Sequence, residues 1–120
     1  MATFLVHIHT GPDSPSKAAL GFLVAATALK EGHAVNLFLA ADGASLISDS
    51  VLSSLEGIGT GKLSEHYRAL ADGGAQFYVS GMSAKARGLG EADIAGKPAR
   101  FAMPDILVRL AAEADVVLTY

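Results

Sequence analysis

The chain contains no cysteine and no tryptophan among its 120 residues. The lack of cysteine excludes disulfides, thiolate catalysis, cysteine metal sites and any sulfur relay on a cysteine of this chain. Charge is also scarce: charged residues make up 18% of the chain, against a usual share of about 25%. The formal net charge of -3 gives no support for a nucleic-acid partner.

Long apolar runs are missing as well. The longest apolar segment, residues 18–29, is shorter than the roughly 20 residues that a membrane span needs. The N-terminus has no basic run before its apolar segment, so it does not resemble a signal peptide. We therefore expect a cytoplasmic protein.

Apolar residues, by contrast, make up 51% of the chain. A chain of this length fits one domain, residues 1–120, and can bury a core without disulfides or metals. The high apolar share favours a chain that hides surface in a homo-oligomer. The first predicted helix, residues 15–31, supports this because its large apolar side chains surround much of its circumference.

Strands and helices alternate along the sequence. The hydrophobic pattern predicts helices over residues 15–31, 62–71 and 105–113, and strands over residues 4–9, 34–40, 76–79, 100–102 and 115–120. Residues 48–60 are predicted to be a partly helical, mobile excursion, and residues 88–98 a polar loop. This alternation predicts an α/β fold with three layers, α/β/α, around a mainly parallel sheet.

Ligands of such folds bind beyond the carboxyl ends of the strands. Loops that follow three of the predicted strands converge there and carry most of the polar candidates. The predicted ligand-binding residues are His9, Thr10, Asp13, Asp42, Gly43, Ser80, Gly81, Met82 and Ser83.

His7 and His9 lie two residues apart on one strand, so they share a face of the sheet. Two histidines are half of a metal site and no third ligand is evident, so neither a metal nor a cofactor is predicted. His9 is a candidate ligand or general base. Alternatively, His7 is a hydrogen-bonded core residue and His9 orders the adjacent loop.

Ser80 and Ser83 stand where a strand turns into a short helix, predicted to start at about Ser83. The helix N-terminus favours an anion, and Lys85 and Arg87 add two cations beyond it. Serine catalysis would need an adjacent base, which His9 could supply only in three dimensions. The alternative is a tight turn with a capped helix, Lys85 and Arg87 being surface charges.

Three segments together resemble the DsrE/DsrF-like family: residues 4–15, residues 31–43, and Tyr-Val-Ser-Gly-Met-Ser-Ala-Lys-Ala-Arg-Gly at residues 78–88. The resemblance implies a five-stranded parallel sheet and homotrimers or homohexamers. Members in sulfur oxidation and transfer-RNA thiolation carry a persulfide on a cysteine at the end of the third main strand. The matching positions here are Ser80 or Ser83, whose oxygen cannot carry a persulfide.

The leading hypothesis is a homo-oligomeric DsrE-like protein linked to sulfur metabolism. It would bind a small anionic or sulfur-containing ligand, or a partner's persulfide tail, without persulfide chemistry of its own. One alternative is a small acid–base enzyme that uses His9 with Ser80 or Ser83. Another is a non-catalytic scaffold subunit that meets a partner protein in a sulfur-transfer assembly.

Overall fold

Five parallel strands form the centre of the structure, a computed structural model that describes residues 1–120. The strands in chain order are β1 (Thr3–Ile8), β2 (Ala34–Leu39), β3 (Glu56–Gly57), β4 (Gly61–Lys62), β5 (Gln76–Ser80), β6 (Ala99–Ala102) and β7 (Val116–Thr119). The main sheet has the order β6-β5-β2-β1-β7, and β3 pairs with β4 in a separate antiparallel hairpin. The predicted parallel α/β sheet is therefore confirmed.

Helices connect the strands on both faces of the sheet. They are α1 (Pro15–Lys30), α2 (Asp49–Ser54), α3 (Leu63–Asp72), α4 (Gly81–Ala86), α5 (Glu91–Ile94) and α6 (Pro104–Glu113), with a 3₁₀ segment at Ala41–Ile47. No helix combines the length and the apolar character that crossing a bilayer requires. The predicted bounds of the three long helices agree with the structure to within one residue at all six ends.

One face of the sheet, here called the α1 face, carries the main core. Side chains alternate along a strand, so Val6 and Ile8 of β1 point to this face, as do Phe77 and Val79 of β5. Phe22 of α1 packs on Phe77 with ring centroids 5.8 Å apart. Tyr67 of α3 packs on the same ring at 5.3 Å, which places α1 and α3 side by side on the sheet.

The opposite face, here called the α6 face, is covered more thinly. Leu5, Phe38 and Ala102 form a small buried cluster against the apolar side of α6. No residue of α6 itself is fully buried. One row across this face follows the strand register and consists of Thr119, His7, Phe38, Tyr78 and Arg100.

Residues 48–62 are the segment whose structure was hardest to predict. The prediction of partial helix is confirmed by α2, which buries Leu52. The glycine-rich part folds into the β3–β4 hairpin, which is held on α1: Ile58 N donates to Ser16 Oγ at 2.9 Å and Thr60 Oγ1 donates to Ser16 O at 2.9 Å. The segment is thus attached to the body of the protein at both its helix and its hairpin.

Two local predictions were wrong. The helix after β5 begins at Gly81, two residues earlier than the predicted start at about Ser83, because Ser80 is its N-cap. Residues 88–98 are not only a loop: they contain α5, whose Ile94 is buried in the main core. The helix is four residues long, so its periodicity is too short to be recognised in a polar, glycine-containing sequence.

Candidate functional site at the carboxyl edge of the sheet

The loops after β1, β2 and β5 meet at the carboxyl edge, as predicted. These three strands are adjacent in the sheet. Ser83 Oγ, after β5, accepts a hydrogen bond of 2.8 Å from the backbone N–H of Ala41, after β2. Ala41 has a positive φ of 50°, so this hydrogen bond stabilises an uncommon conformation at the start of the 3₁₀ segment.

Two glycines allow the loops to approach closely. A Cβ on Gly43 would lie 2.3 Å from the carbonyl oxygen of Ile8, at the end of β1. A Cβ on Gly11 would lie 2.6 Å from the carbonyl oxygen of Asp42. The loops after β1 and β2 therefore pack backbone to backbone, and the close approach depends on the missing side chains.

Arg87 belongs to this cluster; the sequence predicted it as a cation near the helix N-terminus but not as a ligand-binding residue. Its Nη2 donates to Asp42 Oδ1 at 2.7 Å, and its Nη1 donates to Ser83 O at 3.1 Å. About a third of the Arg87 side chain remains exposed, so the ion pair is accessible from solvent. The sequence signal for the second contact is the spacing of four residues between Ser83 and Arg87. In a helix this spacing lets an arginine at the C-terminal end donate a hydrogen bond to a carbonyl oxygen one turn earlier.

Ser80 and Ser83 use their oxygens to hold the backbone. Ser80 Oγ caps α4 by accepting a 3.2 Å hydrogen bond from Ser83 N, and Ser80 is buried. Ser83 Oγ accepts from Ala41 N, as described above. Each hydroxyl still has its own proton to donate, which leaves two donors at this edge for an acceptor.

The two histidines lie next to each other but bond to neither serine. The rings of His7 and His9 are 5.5 Å apart in an edge-on arrangement. His9 is exposed and makes no side-chain hydrogen bond. The alternative that His7 is a hydrogen-bonded core residue is wrong, because its buried Nε2 has no partner. No group of three metal-ligating side chains forms here or elsewhere in the structure.

Burial lowers the pKa of His7 below its usual 6.5, and the charge of His9 lowers it further. The unfolded chain therefore takes up this proton first as the pH falls. We expect the free energy of unfolding to be at its full value above pH 6.5 and to decrease as the pH falls through the folded-state pKa of His7.

His7→Leu should remove this acid-side slope and leave stability at pH 7 unchanged or higher, since the unpartnered nitrogen is lost. Urea unfolding across this pH range measures both effects. His9→Gln is the matched control: it should keep most of the slope, because burial is the larger cause of the shift. An unchanged slope in His7→Leu would contradict the assignment.

Other predicted residues are less closely connected, and the edge is not a cavity. Asp13 is exposed in the turn before α1 and forms no hydrogen bond to the other loops, and Met82 is 61% exposed. The structure has four cavities, none of which includes a predicted ligand-binding residue. The largest, about 630 Å³, lies between α2, α3 and the residues before β6. In a single chain the predicted site is an open surface.

Comparison with known proteins agrees with this architecture. A model of the DsrE/DsrF-like family matches residues 2–120. The chain belongs to the DsrE/DsrF-like family. As a DsrE/DsrF-like protein it has no cysteine at any position, so the predicted departure from the persulfide-carrying members is also confirmed.

Solved structures show the same fold for this DsrE/DsrF-like chain. The crystal structure of the ychN protein from E. coli superimposes with a TM-score of 0.81, over 100% of both chains, at 14% sequence identity. At this identity the likeness concerns the fold. No curated protein matches the chain.

Proposed function

We propose that this DsrE/DsrF-like protein binds a small anionic or sulfur-containing ligand non-covalently at the carboxyl edge of its sheet, as a cytoplasmic homo-oligomer. The observation that supports it most strongly is the linkage of the loops after β2 and β5 by the Ser83–Ala41 hydrogen bond and the Asp42–Arg87 ion pair, with the loop after β1 packed against the β2 loop at Gly43. These contacts hold polar groups from separate parts of the chain in a fixed arrangement, which is what a binding surface requires.

The charge of the edge is compatible with an anion. Asp42 alone would repel one, but Arg87 lies 2.7 Å from its carboxylate and neutralises it. The protons of Ser80 and Ser83 and the ring of His9 then remain as hydrogen-bond donors. Since the chain has no cysteine, the sulfur chemistry that the family resemblance implies must occur on the ligand or on a partner's persulfide tail.

A second copy of the chain is part of the proposal because the edge is open. Exposed apolar side chains surround it: Met82 is 61% and Met103 50% exposed, and Met103 Sδ lies beside Gly81. Small-ligand sites are usually concave and enclose most of the ligand. A neighbouring subunit that covers these methionines would turn the open surface into an enclosed site.

Titration of isotope-labelled protein with thiosulfate, and separately with sulfate, tests the proposal by NMR. We expect saturable shifts of the amide signals of Gly43, Gly81 and Ser83. Arg87→Gln should weaken binding about tenfold, because it removes a charge-assisted contact and leaves Asp42 unneutralised.

Two variants control for charge and for folding. Arg109→Gln makes the same charge change on α6, where the side chain is 63% exposed, and should leave the affinity unchanged. Asp42→Asn removes the opposing charge and should preserve or strengthen binding. Equal losses in the Arg87 and Arg109 variants would mean that thiosulfate responds only to net charge, and the proposed site would be rejected.

The rival functions are less well supported by the geometry. An acid–base enzyme would need His9 within hydrogen-bond reach of Ser80, Ser83 or a bound substrate, and the structure forms no hydrogen bond between His9 and either serine. A scaffold subunit without a ligand would show no saturable shifts at the carboxyl edge in either titration. The same experiment therefore separates ligand binding from the scaffold alternative.

A further inference from the structure

Strand β7 is unlike every other strand of the main sheet. It lies at one edge, pairs only with β1, and none of its residues is buried. Its sequence, Val-Val-Leu-Thr, has no charge, no proline and no glycine. Natural proteins usually protect an edge strand with charged residues or proline, or cover it, because its free backbone groups can pair with strands of other molecules.

The opposite edge of the sheet is protected in this way. Strand β6 carries Arg100 and lies between Pro98 and Pro104. Phe77 N donates to Pro98 O, so the backbone N–H and C=O groups of alternate β6 residues point toward β5. Those of Ala99 therefore point away from the sheet. The outward N–H of Ala99 is already donated to Lys97 O at 2.8 Å. The edge of β6 is therefore a poor partner for another strand, because one outward N–H is already hydrogen-bonded and the strand carries a charged side chain.

The hydrogen bonds of β7 determine which groups are free. Tyr120, which directly follows the strand, donates its N–H to His7 O and accepts at its carbonyl from His9 N, both at 2.9 Å. Because the hydrogen-bonding residues of a parallel strand alternate, the backbone N–H and C=O groups of Val116 and Leu118 also point toward β1. Val117 and Thr119 then direct their N–H and C=O groups outward, away from the sheet.

We infer that β7 is an interaction surface for β7 of a second copy of this chain, paired antiparallel about a two-fold axis at Leu118. In this register Val117 of each copy forms two backbone hydrogen bonds with Thr119 of the other copy, one through its N–H and one through its C=O. The two Leu118 side chains then meet on the α1 face, where Val116 lies opposite Tyr120. No charged side chains are opposed, so the strand is complementary to itself.

Pairing of β7 with β7 of a second copy fits the structure better than pairing of β7 with β6 of a second copy. Head-to-tail pairing of β7 with β6 would extend the sheet from copy to copy into an open filament, unless the rotation between copies closes a ring. The arginine, the prolines and the occupied N–H of β6 oppose that pairing. The two-fold arrangement instead closes, and it leaves one continuous sheet through both copies. This contact is separate from the one that would cover Met82 and Met103, because β7 and β6 lie at opposite edges of the sheet. The inference therefore adds a second self-contact to the proposed homo-oligomer and does not depend on the identity of the ligand.

Single-cysteine variants of the full chain test the register against a background of no native cysteine. Directly opposed residues in a non-hydrogen-bonded antiparallel pair have Cα atoms about 4.5 Å apart, within the disulfide range of roughly 4.4–6.8 Å. Leu118→Cys should therefore give a covalent dimer under mild oxidation. Val117→Cys should not, because each Val117 opposes Thr119 and the two Val117 residues lie apart.

Charge variants provide an independent readout by native mass spectrometry. Val117→Lys with Thr119→Lys opposes lysines across the axis and should halve the mass of the assembly. Val117→Lys with Thr119→Glu opposes unlike charges and should retain the full mass. This pair of variants changes the same positions, so a general loss of folding would affect both.

Equal cross-linking of the two cysteine variants, or none in either, would overturn the inference. So would an assembly whose mass is unchanged by the double lysine variant, or halved by both charge variants. Each of these results could occur with a saturable thiosulfate response at Gly43 and Ser83. Failure of the β7 pairing is therefore distinguishable from failure of the proposed ligand site.

Discussion

Gly43→Ala is expected to lower the free energy of unfolding by about 3 kcal/mol and to abolish the amide shifts proposed for the carboxyl edge. The reason is steric. A Cβ on Gly43 would lie 2.3 Å from Ile8 O and 3.2 Å from His9 Cα, and both are backbone atoms that cannot rotate away. Relief of this overlap requires the loops after β1 and β2 to separate, which also separates the proposed ligand-binding groups.

Gly90→Ala is the matched control for this substitution. A Cβ on Gly90 meets nothing within 4 Å, and its φ of -142° is accessible to any residue. We expect a change of less than about 1 kcal/mol, in the stabilising direction if the entropy of the unfolded chain dominates. Urea unfolding of both variants makes the comparison. Similar losses in the two would show that the close approach of Gly43 to β1 is not required.

Lys97→Met is expected to cost about 3 kcal/mol of stability. Only 9% of the Lys97 side chain is exposed, and its ammonium donates to Ile47 O at 2.7 Å, to Asp93 O, and to Asp49 Oδ1 at 2.8 Å. These contacts hold the residues before β6 against the end of the 3₁₀ segment that begins beside Ser83. Methionine fills similar space but leaves the two carbonyl oxygens without a donor.

Asp49→Asn separates the two parts of the Lys97 contact. The Asp49 side chain is 86% exposed, so solvent screens its ion pair and it should contribute less than about 1 kcal/mol. We therefore expect Asp49→Asn to be mild and Lys97→Met to be severe in the same urea titration. Hydrogen exchange of the 3₁₀ amides should rise in Lys97→Met alone. A large loss of stability in Asp49→Asn would instead show that the ion pair provides most of the stabilisation.

The elements with strong periodicity were predictable from the sequence. The apolar runs of β1, β2 and β5 and the length of α1 predicted a parallel sheet, and that order alone placed the loops with His9, Asp42 and Ser80 at one edge. Segments with weak periodicity were not predictable in detail. The two-residue strands of the hairpin and the four-residue α5 are defined by their contacts with α1 and the core, and not by local pattern.

The interactions within the candidate site were less predictable than its location. Arg87 and Asp42 are 45 residues apart in the chain, and nothing local to either indicates their ion pair. The unpartnered nitrogen of His7 also depends on packing from several elements. In the proposed homo-oligomer a second copy would enclose the edge, and the sequence of one chain indicates such a contact only through exposed apolar residues such as Met82.

Native mass spectrometry of gently purified wild-type protein, with thiosulfate present, tests the central claim most directly. The claim is that an assembly of this chain binds a small anion at the carboxyl edge of its sheet. We predict a homo-oligomer that carries a removable added mass of the anion, lost in Arg87→Gln and kept in Arg109→Gln. A bare monomer, or an added mass that persists equally in both variants, would contradict the account.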